Sequence, residues 1–128
     1  DRKVIGYLCS EIWAYKERLD EEDFILGHSI GKYHDPNGSE LYISSMGILP
    51  SFRGRGMGKL MFEEFLRYMI RTNKGLETVI LIVSEGWEKA RRIYSDNGFE
   101  EISVLKNFFE VSRNQPYSEN GIVMRKYL

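Results

Sequence analysis

The fold of this 128-residue chain is decided by the stretch Arg53-Gly54-Arg55-Gly56-Met57-Gly58-Lys59, in which glycine occupies every second position. A strand-like segment precedes the stretch, and after it the spacing of apolar residues changes from two to about 3.6. Glycine lets the backbone of such a turn approach a ligand closely. The free N–H groups and the dipole of the following helix favour an anion, so the turn predicts a site for phosphate or pyrophosphate.

The turn also concentrates positive charge, since Arg53, Arg55 and Lys59 lie within seven residues of one another. A nucleotide-binding P-loop would need Gly at position 53 and Ser or Thr at position 60, where Arg and Leu stand. The dinucleotide fingerprint would need a glycine at position 59, which is Lys. The pattern that remains is Arg-x-x-Gly-x-Gly, which by itself is also compatible with an ordinary surface turn.

Upstream of the turn the sequence predicts two strands joined by a long polar excursion. The nearer strand covers 40–48 and ends at Leu49-Pro50. The opening strand covers 3–13, and apolar residues on both of its faces predict a central strand with Cys9 as a small core residue. The acidic segment 20–23 is either a solvated loop or part of an acceptor mouth that attracts a cationic amine.

Downstream of the turn the sequence predicts helices that alternate with strands. The first helix ends at the stop signal 73–75, and its expected apolar stripe consists of Met57, Met61, Phe65, Tyr68 and Met69. The elements that follow are an apolar central strand, a short helix and two closing strands, at 77–83, 87–96, 99–109 and 122–128. This order predicts a mixed α/β fold with helices on a sheet.

Length and composition exclude several classes of protein. With 42% apolar and 29% charged residues, the chain is expected to fold as one domain over 1–128. Eighteen Lys+Arg against nineteen Asp+Glu give a net charge of −1, so we expect no surface for nucleic acid or for an anionic membrane. No apolar run approaches the ~20 residues of a membrane span. The single cysteine fits a reducing compartment, so a cytoplasmic protein is expected.

Two further features bear on metal binding and on the boundaries of the domain. His28 and His34 lie six residues apart without nearby cysteines, which does not predict a metal site, so no metal is expected. The chain lacks an initiator Met and opens directly on a strand. This opening predicts a domain that is truncated at its N-terminus.

A second motif lies in the later helix, where Ala90-x-x-x-Tyr94-x-x-x-Gly98-Phe99 follows the predicted strand 77–83. Taken in order with the glycine turn, these segments resemble the GNAT (N-acetyltransferase) superfamily from Val4 to Leu128. The closing segments 106–109 and 119–124 are similar to N-terminal acetyltransferases of the ribosomal-protein type. Those enzymes usually carry tyrosines at the positions of Phe108 and Phe109.

The resemblance implies both a fold and a cofactor site. The implied fold is a mixed, mostly antiparallel sheet flanked by helices, here without the family's N-terminal strand-helix-helix-strand part. In the family the glycine turn holds the pyrophosphate of coenzyme A, and the strand before it opens away from its neighbour and pairs with pantetheine. The acetyl-CoA site implied for this chain consists of Met46, Gly47, Ile48, Arg53, Gly54, Arg55, Gly56, Met57, Gly58, Lys59 and Trp87.

The resemblance also implies a catalytic acid, while the base stays open. Tyr94 lies where the family's tyrosine protonates the leaving thiolate, although its position beside Ile93 also fits a core aromatic. Many relatives carry a glutamate base at the position of Ile82, and an asparagine that contacts pantetheine at the position of Trp87. Glu40 and Tyr42 share a face of the strand before the turn. Either could relay a proton, or Glu40 could simply face solvent at the end of its strand.

The expected activity is transfer of an acetyl group from acetyl-CoA to a primary amine by direct attack on the thioester. A peptide N-terminus, a protein lysine, a polyamine and an antibiotic amine all stay open as acceptors. An α-amino group, with an ordinary pKa of ~7.7–8.0, is partly neutral already, whereas a lysine at ~10.4 must first lose a proton. The alternatives are a coenzyme A-binding sensor or interaction module without catalysis, and an incomplete half-domain. A second chain could cover an open sheet edge, so a homodimer is also expected.

Overall fold

A computed structural model of the chain describes residues 2–24, 33–111 and 116–128. Within these ranges five strands form one sheet: β1 (Gly6–Trp13), β2 (Glu40–Ile48), β3 (Thr78–Ser84), β4 (Glu100–Phe109) and β5 (Glu119–Tyr127). Two helices lie between them in sequence, α1 (Met57–Thr72) after β2 and α2 (Glu88–Asp96) after β3. Short 3-10 segments cover Glu21–Phe24 and Pro50–Phe52.

The strands follow the order β1-β2-β3-β5-β4 across the sheet. Three neighbouring pairs are antiparallel, and only β2 and β3 run parallel. A parallel pair needs a long crossover, which α1 provides. The prediction of a mixed, mostly antiparallel sheet flanked by helices is therefore confirmed, as is the central position of β3.

Both helices pack on the same face of the sheet. Phe62 and Leu66 of α1 are buried in one core with Leu81 and Val83 of β3, and Tyr94 of α2 packs against it. Burying each large apolar side chain contributes roughly 1.5–3 kcal/mol, so this stripe anchors α1 to the sheet. The start of α1, which carries the glycine turn, is thereby held at the end of β2.

The opposite face of the sheet is covered by an aromatic cluster formed by Trp13, Phe24 and Tyr42. The Trp13 ring stacks on the Tyr42 ring with 4.1 Å between centroids, and the Phe24 ring meets Tyr42 edge-on at 5.7 Å. Phe24 belongs to the polar excursion between the first two strands. That excursion therefore returns to cover the sheet.

The acidic segment 20–23 has a structural role at its last residue. The carboxylate of Asp23 accepts a hydrogen bond from Lys16 Nζ at 3.0 Å and another from the backbone N–H of Asp20 at 2.8 Å. Asp23 is buried. Its charge is therefore matched locally and is not offered to an acceptor amine.

Three expectations about burial are wrong. β1 is an edge strand whose one strand partner in the described sheet is β2, apart from an isolated bridge between Trp13 and His34, and Cys9 on it is exposed. Whether a strand is covered depends on its neighbours in space, which its own apolar content does not specify. The fully buried residues of α1 are Phe62 and Leu66. Of the expected stripe, Phe65 and Met69 pack partly buried against the same core, whereas Tyr68 is exposed.

Candidate active site

β2 and β3 separate part-way along their length and leave a cleft between them. Their parallel pairing covers three residues of each strand and ends at Tyr42↔Ile80. The register of β2 with β1 then skips Ser44, which is an extra residue in β2. A bulge of this kind bends and twists its strand. The second half of β2 therefore turns away from β3.

The cleft has a volume of about 350 Å³ and is closed on one side by α2. Its walls come from both strands, from the start and middle of α2 and from the end of β4, with Ile43, Ser44, Ser45, Met46, Leu81, Ile82, Val83, Ser84, Trp87, Ala90, Tyr94 and Phe109 lining it. Past Tyr42 the edge of β2 that faces the cleft has no pairing with β3 in the described chain. Its backbone groups are available to an extended ligand that carries amides.

The glycine turn adopts the conformation that its sequence predicts. Gly54 has φ of 77° and Gly56 has φ of 75°, both in the left-handed region that favours glycine. Gly56 is the N-cap of α1 and makes no side-chain capping bond. A Cβ added at Gly54 or Gly56 would meet no described atom within 4 Å. The first-turn N–H groups of α1 therefore face open space beside a backbone without side chains, which suits an anion.

The basic residues of the turn are held in different ways. Arg53 Nε donates a hydrogen bond to the Ile48 carbonyl at 2.9 Å, which ties the turn to the end of β2. The Arg55 guanidinium lies 5.4 Å from the centroid of the Phe52 ring. Lys59 is exposed on the first turn of α1. All three place positive charge around the open N-terminus of α1.

Tyr94 lies on the α2 wall of the cleft, as the sequence predicts for a site residue. Its ring centroid is 5.0 Å from that of Phe62 and 6.0 Å from that of Phe99, so the ring is also part of the core packing. Burial raises the pKa of the Tyr94 phenol. The hydroxyl keeps its proton at neutral pH and is available as a donor.

Trp87 and Ile82 occupy the cleft where the family pattern has polar groups. Trp87 is the N-cap of α2, 64% exposed, and lines the cleft. Ile82 lines the cleft from β3. The structure thus brings Trp87, Met46 and Tyr94 together in the cleft. The glycine turn follows the end of β2, the strand that carries Met46.

Glu40 is not brought to the cleft. It lies at the other end of β2, six residues before Met46, which is roughly 20 Å along an extended strand. Its two carboxylate oxygens accept hydrogen bonds from Arg125 Nε at 2.8 Å and Nη2 at 3.0 Å, and both side chains are fully buried. Arg125 also donates to the carbonyls of Lys16 and Glu17. The expectation that Glu40 acts as the base therefore conflicts with its position and partners, and so does the alternative that it faces solvent.

Tyr42, the other relay expected from β2, is buried in the aromatic cluster. Burial, and to a smaller extent the nearby charge of Glu11, raises the pKa of Tyr42 to about 12. A phenol with such a pKa is protonated at neutral pH. Tyr42 alone is therefore a poor acceptor for a proton from an amine.

A polar pair that the sequence did not predict lies at the far end of the cleft. Ser84, the last residue of β3, lines the cleft, and its hydroxyl donates a hydrogen bond to the carboxylate of Glu119. β5 begins at Glu119, three residues earlier than predicted. The available signal was the alternation of β3, which places Ser84 on the same face as Ile82.

The described residues were also compared with the requirements of a metal site and of a membrane span. Within the described ranges no group of three or more His, Cys, Asp or Glu side chains is arranged to hold a metal ion. Of the two histidines considered, His28 lies outside the described residues. Neither described helix combines the length and apolar character needed to cross a bilayer.

Comparison with protein families gives one match that covers most of the chain. The model of the acetyltransferase (GNAT) family matches residues 1–99. That range contains β1, the glycine turn, α2 and all the residues that line the cleft except Phe109.

Comparison with individual proteins gives relatives that are named acetyltransferases. The ribosomal protein bS18-alanine N-acetyltransferase of Haemophilus influenzae is 33% identical over 89 residues, which are 70% of this chain and 58% of that protein. The mycothiol acetyltransferase of Salinispora tropica is 32% identical over 94 residues, 70% of this chain and 30% of that protein. The crystal structure of Arabidopsis thaliana NAA60 with acetyl-CoA matches at a TM-score of 0.69 and 20% identity, over 98% of this chain and 66% of that one.

These matches differ in what they show. The structural likeness, at 20% identity, shows a shared fold. The chain spans less than two thirds of the length of either curated relative.

Proposed function

The chain belongs to the acetyltransferase (GNAT) family, and we propose that it transfers an acetyl group from acetyl-CoA to a primary amine. The observation that carries this proposal is the continuity of the cleft with the glycine turn. Met46 lines the cleft and also the neighbouring depression that reaches Ile48 and Arg53 at the start of the turn. A long ligand with a pyrophosphate at one end and a thioester at the other matches this arrangement.

The proposed binding of acetyl-CoA divides between main-chain and charged groups. The first-turn N–H groups of α1 would hold the pyrophosphate, with the residues of 53–59 around it. Arg55 and Lys59 supply positive charge there. The backbone of β2 at Met46, Gly47 and Ile48 would pair with the amides of pantetheine. Trp87 would contact the same arm from α2.

The proposed reaction is a direct attack within the cleft. Acetyl-CoA supplies a thioester whose carbonyl carbon accepts the amine. The neutral amine nitrogen forms a bond to that carbon, the carbon–sulfur bond breaks, and the thiolate takes the proton of the Tyr94 hydroxyl. The nitrogen loses one proton to become the amide, and Tyr94 regains a proton from solvent. Holding both reactants in attack geometry supplies part of the rate. Backbone N–H groups of β2 that face the cleft are the donors available to the developing oxyanion.

A peptide N-terminus is the acceptor that we favour within the class of primary amines. The name of the Haemophilus influenzae relative, an alanine N-acetyltransferase of a ribosomal protein, supports it. An α-amino group, with an ordinary pKa of ~7.7–8.0, also needs the least help to become neutral. Phe109 lines the cleft and offers apolar contact to an acceptor, whereas the Phe108 ring packs edge-on against Phe24 with 6.4 Å between centroids.

A coenzyme A-binding module without catalysis is the second candidate. The apolar side chains of Ile82 and Trp87 in the cleft favour it, because they stand where the family pattern has a base and a pantetheine contact. Such a module would be stabilised by acetyl-CoA but would release no thiol with any amine.

The decisive experiment combines calorimetry with a thiol-release assay. We expect acetyl-CoA to bind and thiol to be released with an amine panel that includes peptides, lysine, polyamines and aminoglycosides. Tyr94→Phe should lower kcat by roughly 100-fold, the lower end of the usual contribution of an acid, with the Kd for acetyl-CoA unchanged. Tyr68→Phe, on the exposed face of α1, is the matched control.

The possible results separate the two candidates. Binding without turnover for any amine would favour the non-catalytic module. Absence of binding at millimolar acetyl-CoA would contradict both. Turnover that is unchanged in Tyr94→Phe would remove the role of Tyr94 while leaving the activity.

Three expectations from the sequence stay predictions. The homodimer is tested by light scattering, and the cytoplasmic location by fractionation of cells that express the protein. One domain over 1–128 predicts a single cooperative unfolding transition.

A further inference from the structure

The cleft contains an acid but no obvious base. Of the described residues that line it, Tyr94 carries an ionisable side chain, and none carries a carboxylate or an imidazole. Glu40 is buried with Arg125, and the raised pKa of Tyr42 keeps that phenol protonated. An ammonium acceptor must nevertheless lose a proton before its nitrogen can attack.

One carboxylate in the described chain is joined to the cleft wall by a hydrogen bond. Ser84 is 3% exposed as a whole residue and contributes to the lining of the cleft. Its Oγ donates to Oε2 of Glu119. Glu119 is also the register partner of Phe109, a second lining residue. Glu119 is half-buried, and its carboxylate is held against the serine by this hydrogen bond.

The surroundings of Glu119 hold its carboxylate in this position. The backbone at Gly86 lies so close that an added Cβ would be 2.7 Å from Glu119 Oε1. The next residue, Asn120, accepts a hydrogen bond from the Asn107 N–H at 3.0 Å through its side chain, and its carbonyl accepts one from the Glu85 N–H at 2.9 Å. The start of β5 is therefore fixed to the loop that follows β3.

Ser84 and Tyr94 approach the cleft from opposite sides. Val83 and Leu81 face the core under the helices, where Tyr94 packs. Side chains alternate along a strand, so Ser84 points to the other face with Ile80 and Ile82. A thioester carbonyl between β2 and β3 would have the phenol on one side and the serine hydroxyl on the other. An attacking nitrogen and a leaving sulfur need this separation.

We propose that Ser84 and Glu119 form a relay that removes the proton from the acceptor amine. This inference rests on the proposed acetyl transfer. The ammonium N–H proton passes to Ser84 Oγ, and the proton already on that oxygen passes to Glu119 Oε2. The neutral nitrogen then forms its bond to the acetyl carbon as the carbon–sulfur bond breaks, and the departing sulfur takes the proton of Tyr94. The nitrogen releases its second proton to solvent to become the amide, Tyr94 regains a proton from solvent, and Glu119 returns its proton to solvent before the next turnover. Ser84 contacts the amine, and Glu119 acts through Ser84 as its positioning residue and proton acceptor.

The test measures pH–rate profiles of Glu119→Gln and Ser84→Ala with a peptide acceptor. Each variant should lower kcat by roughly 100-fold at pH 7, the lower end of the usual contribution of a general base. The loss should shrink as the pH rises through the ordinary range of an α-amino group, ~7.7–8.0, because a neutral amine needs no base. A merely structural role would give a loss that does not depend on pH in this way.

The matched control is Glu85→Gln. Glu85 is the other carboxylate in the described chain with a hydrogen bond to the start of β5, through Asn120 Nδ2 at 2.9 Å, which glutamine can also accept. The Glu85→Gln change removes the same charge at the same end of the sheet, from a carboxylate that accepts its hydrogen bond from Asn120 and not from Ser84. We expect the profile of this variant to follow that of the unaltered chain. Glu119→Asp should recover part of the kcat that Glu119→Gln loses.

The outcomes distinguish this inference from the proposed function. Calorimetry should give an unchanged Kd for acetyl-CoA in both relay variants, and their far-ultraviolet circular dichroism should show the native fold. If the unaltered chain turns over and both relay variants keep its kcat and pH profile, the relay is overturned while acetyl transfer stands. A loss that is equal in Glu85→Gln would also overturn it, since a general effect of charge would then explain the data. No turnover by the unaltered chain would instead refute the proposed function itself.

Discussion

The two ends of the β2–β3 pair differ in structure: the strands are hydrogen-bonded at one end and separated at the other. At the closed end, where the strands pair, Glu40 and Arg125 are both fully buried and satisfy each other. At the open end, beyond the extra residue Ser44, the strands part and leave backbone edges and single polar side chains along a cleft. At the closed end the charged groups are buried and bonded to each other, so a ligand cannot reach them. The open end offers groups that a ligand can reach.

The difference teaches that a carboxylate near a predicted site is not enough to make a base. Glu40 lies on the strand that leads to the glycine turn, yet both of its carboxylate oxygens accept hydrogen bonds from Arg125. Glu119 lies in sequence far from the turn, yet it reaches the cleft wall through Ser84. Whether a carboxylate is available as a base depends on the hydrogen-bond partner that the fold places beside it.

The largest expected effect is on stability at the closed end. Glu40→Ala leaves the Arg125 guanidinium buried without its partner, and we expect the free energy of unfolding to fall by about 3–5 kcal/mol. Urea unfolding followed by circular dichroism measures this change. Glu101→Ala, which removes a partly exposed partner of Arg91, should cost about 0–1 kcal/mol. Similar losses in the two variants would contradict the contrast between the ends.

The second expected effect, at the closed end, is a dependence of the free energy of unfolding on pH. The pKa of Tyr42 is raised from 10.0 to about 12 in the folded chain, so the folded state holds this proton more tightly than the unfolded state. The resulting stability is complete below pH 10 and is lost as the pH rises towards 12. A pKa difference of two corresponds to about 2.7 kcal/mol in the free energy of unfolding.

Comparison of variants isolates the contribution of Tyr42. Between pH 10 and 12 the free energy of unfolding of Tyr42→Phe should decline less than that of the unaltered chain, because this variant has no phenol to ionise. Tyr68→Phe, at an exposed site, should follow the unaltered chain. Parallel curves for all three proteins would show that burial of Tyr42 has no such linkage.

The smallest effect is on stability at the open end, where binding should change more than folding. Gly56→Ala must adopt a φ of 75°, which costs about 1–2 kcal/mol for a residue with a Cβ. Gly58→Ala has no such strain, because Gly58 lies inside α1 and its added Cβ meets Ile48 Cγ1 at 3.9 Å.

The two glycine variants should therefore differ in denaturation but agree in calorimetry. Both place a methyl group beside the first-turn N–H groups of α1, so both should weaken the binding of acetyl-CoA. If Gly58→Ala binds acetyl-CoA as tightly as the unaltered chain, the backbone at that position does not approach the ligand closely.

Much of the fold was predictable because local patterns specify it. The apolar run in β3, the stop signal after Thr72 and the glycine turn all gave elements close to those observed. The strand bounds were less accurate at β5, which begins at Glu119 because its first residues pair with the bulged end of β4 around Phe109. That pairing joins segments whose distance in space is not encoded in either one.

The sequence by itself determined a strand, a glycine turn and a helix, since backbone freedom and periodicity act over a few residues. It also predicts where the proposed anion site lies, because the same residues would form it. Only the tertiary structure decided that β1 lies at an edge, that Glu40 is matched by Arg125, and that Ser84 meets Glu119. These outcomes depend on contacts between residues 35 to 85 positions apart, and burial and charge pairing follow from such contacts.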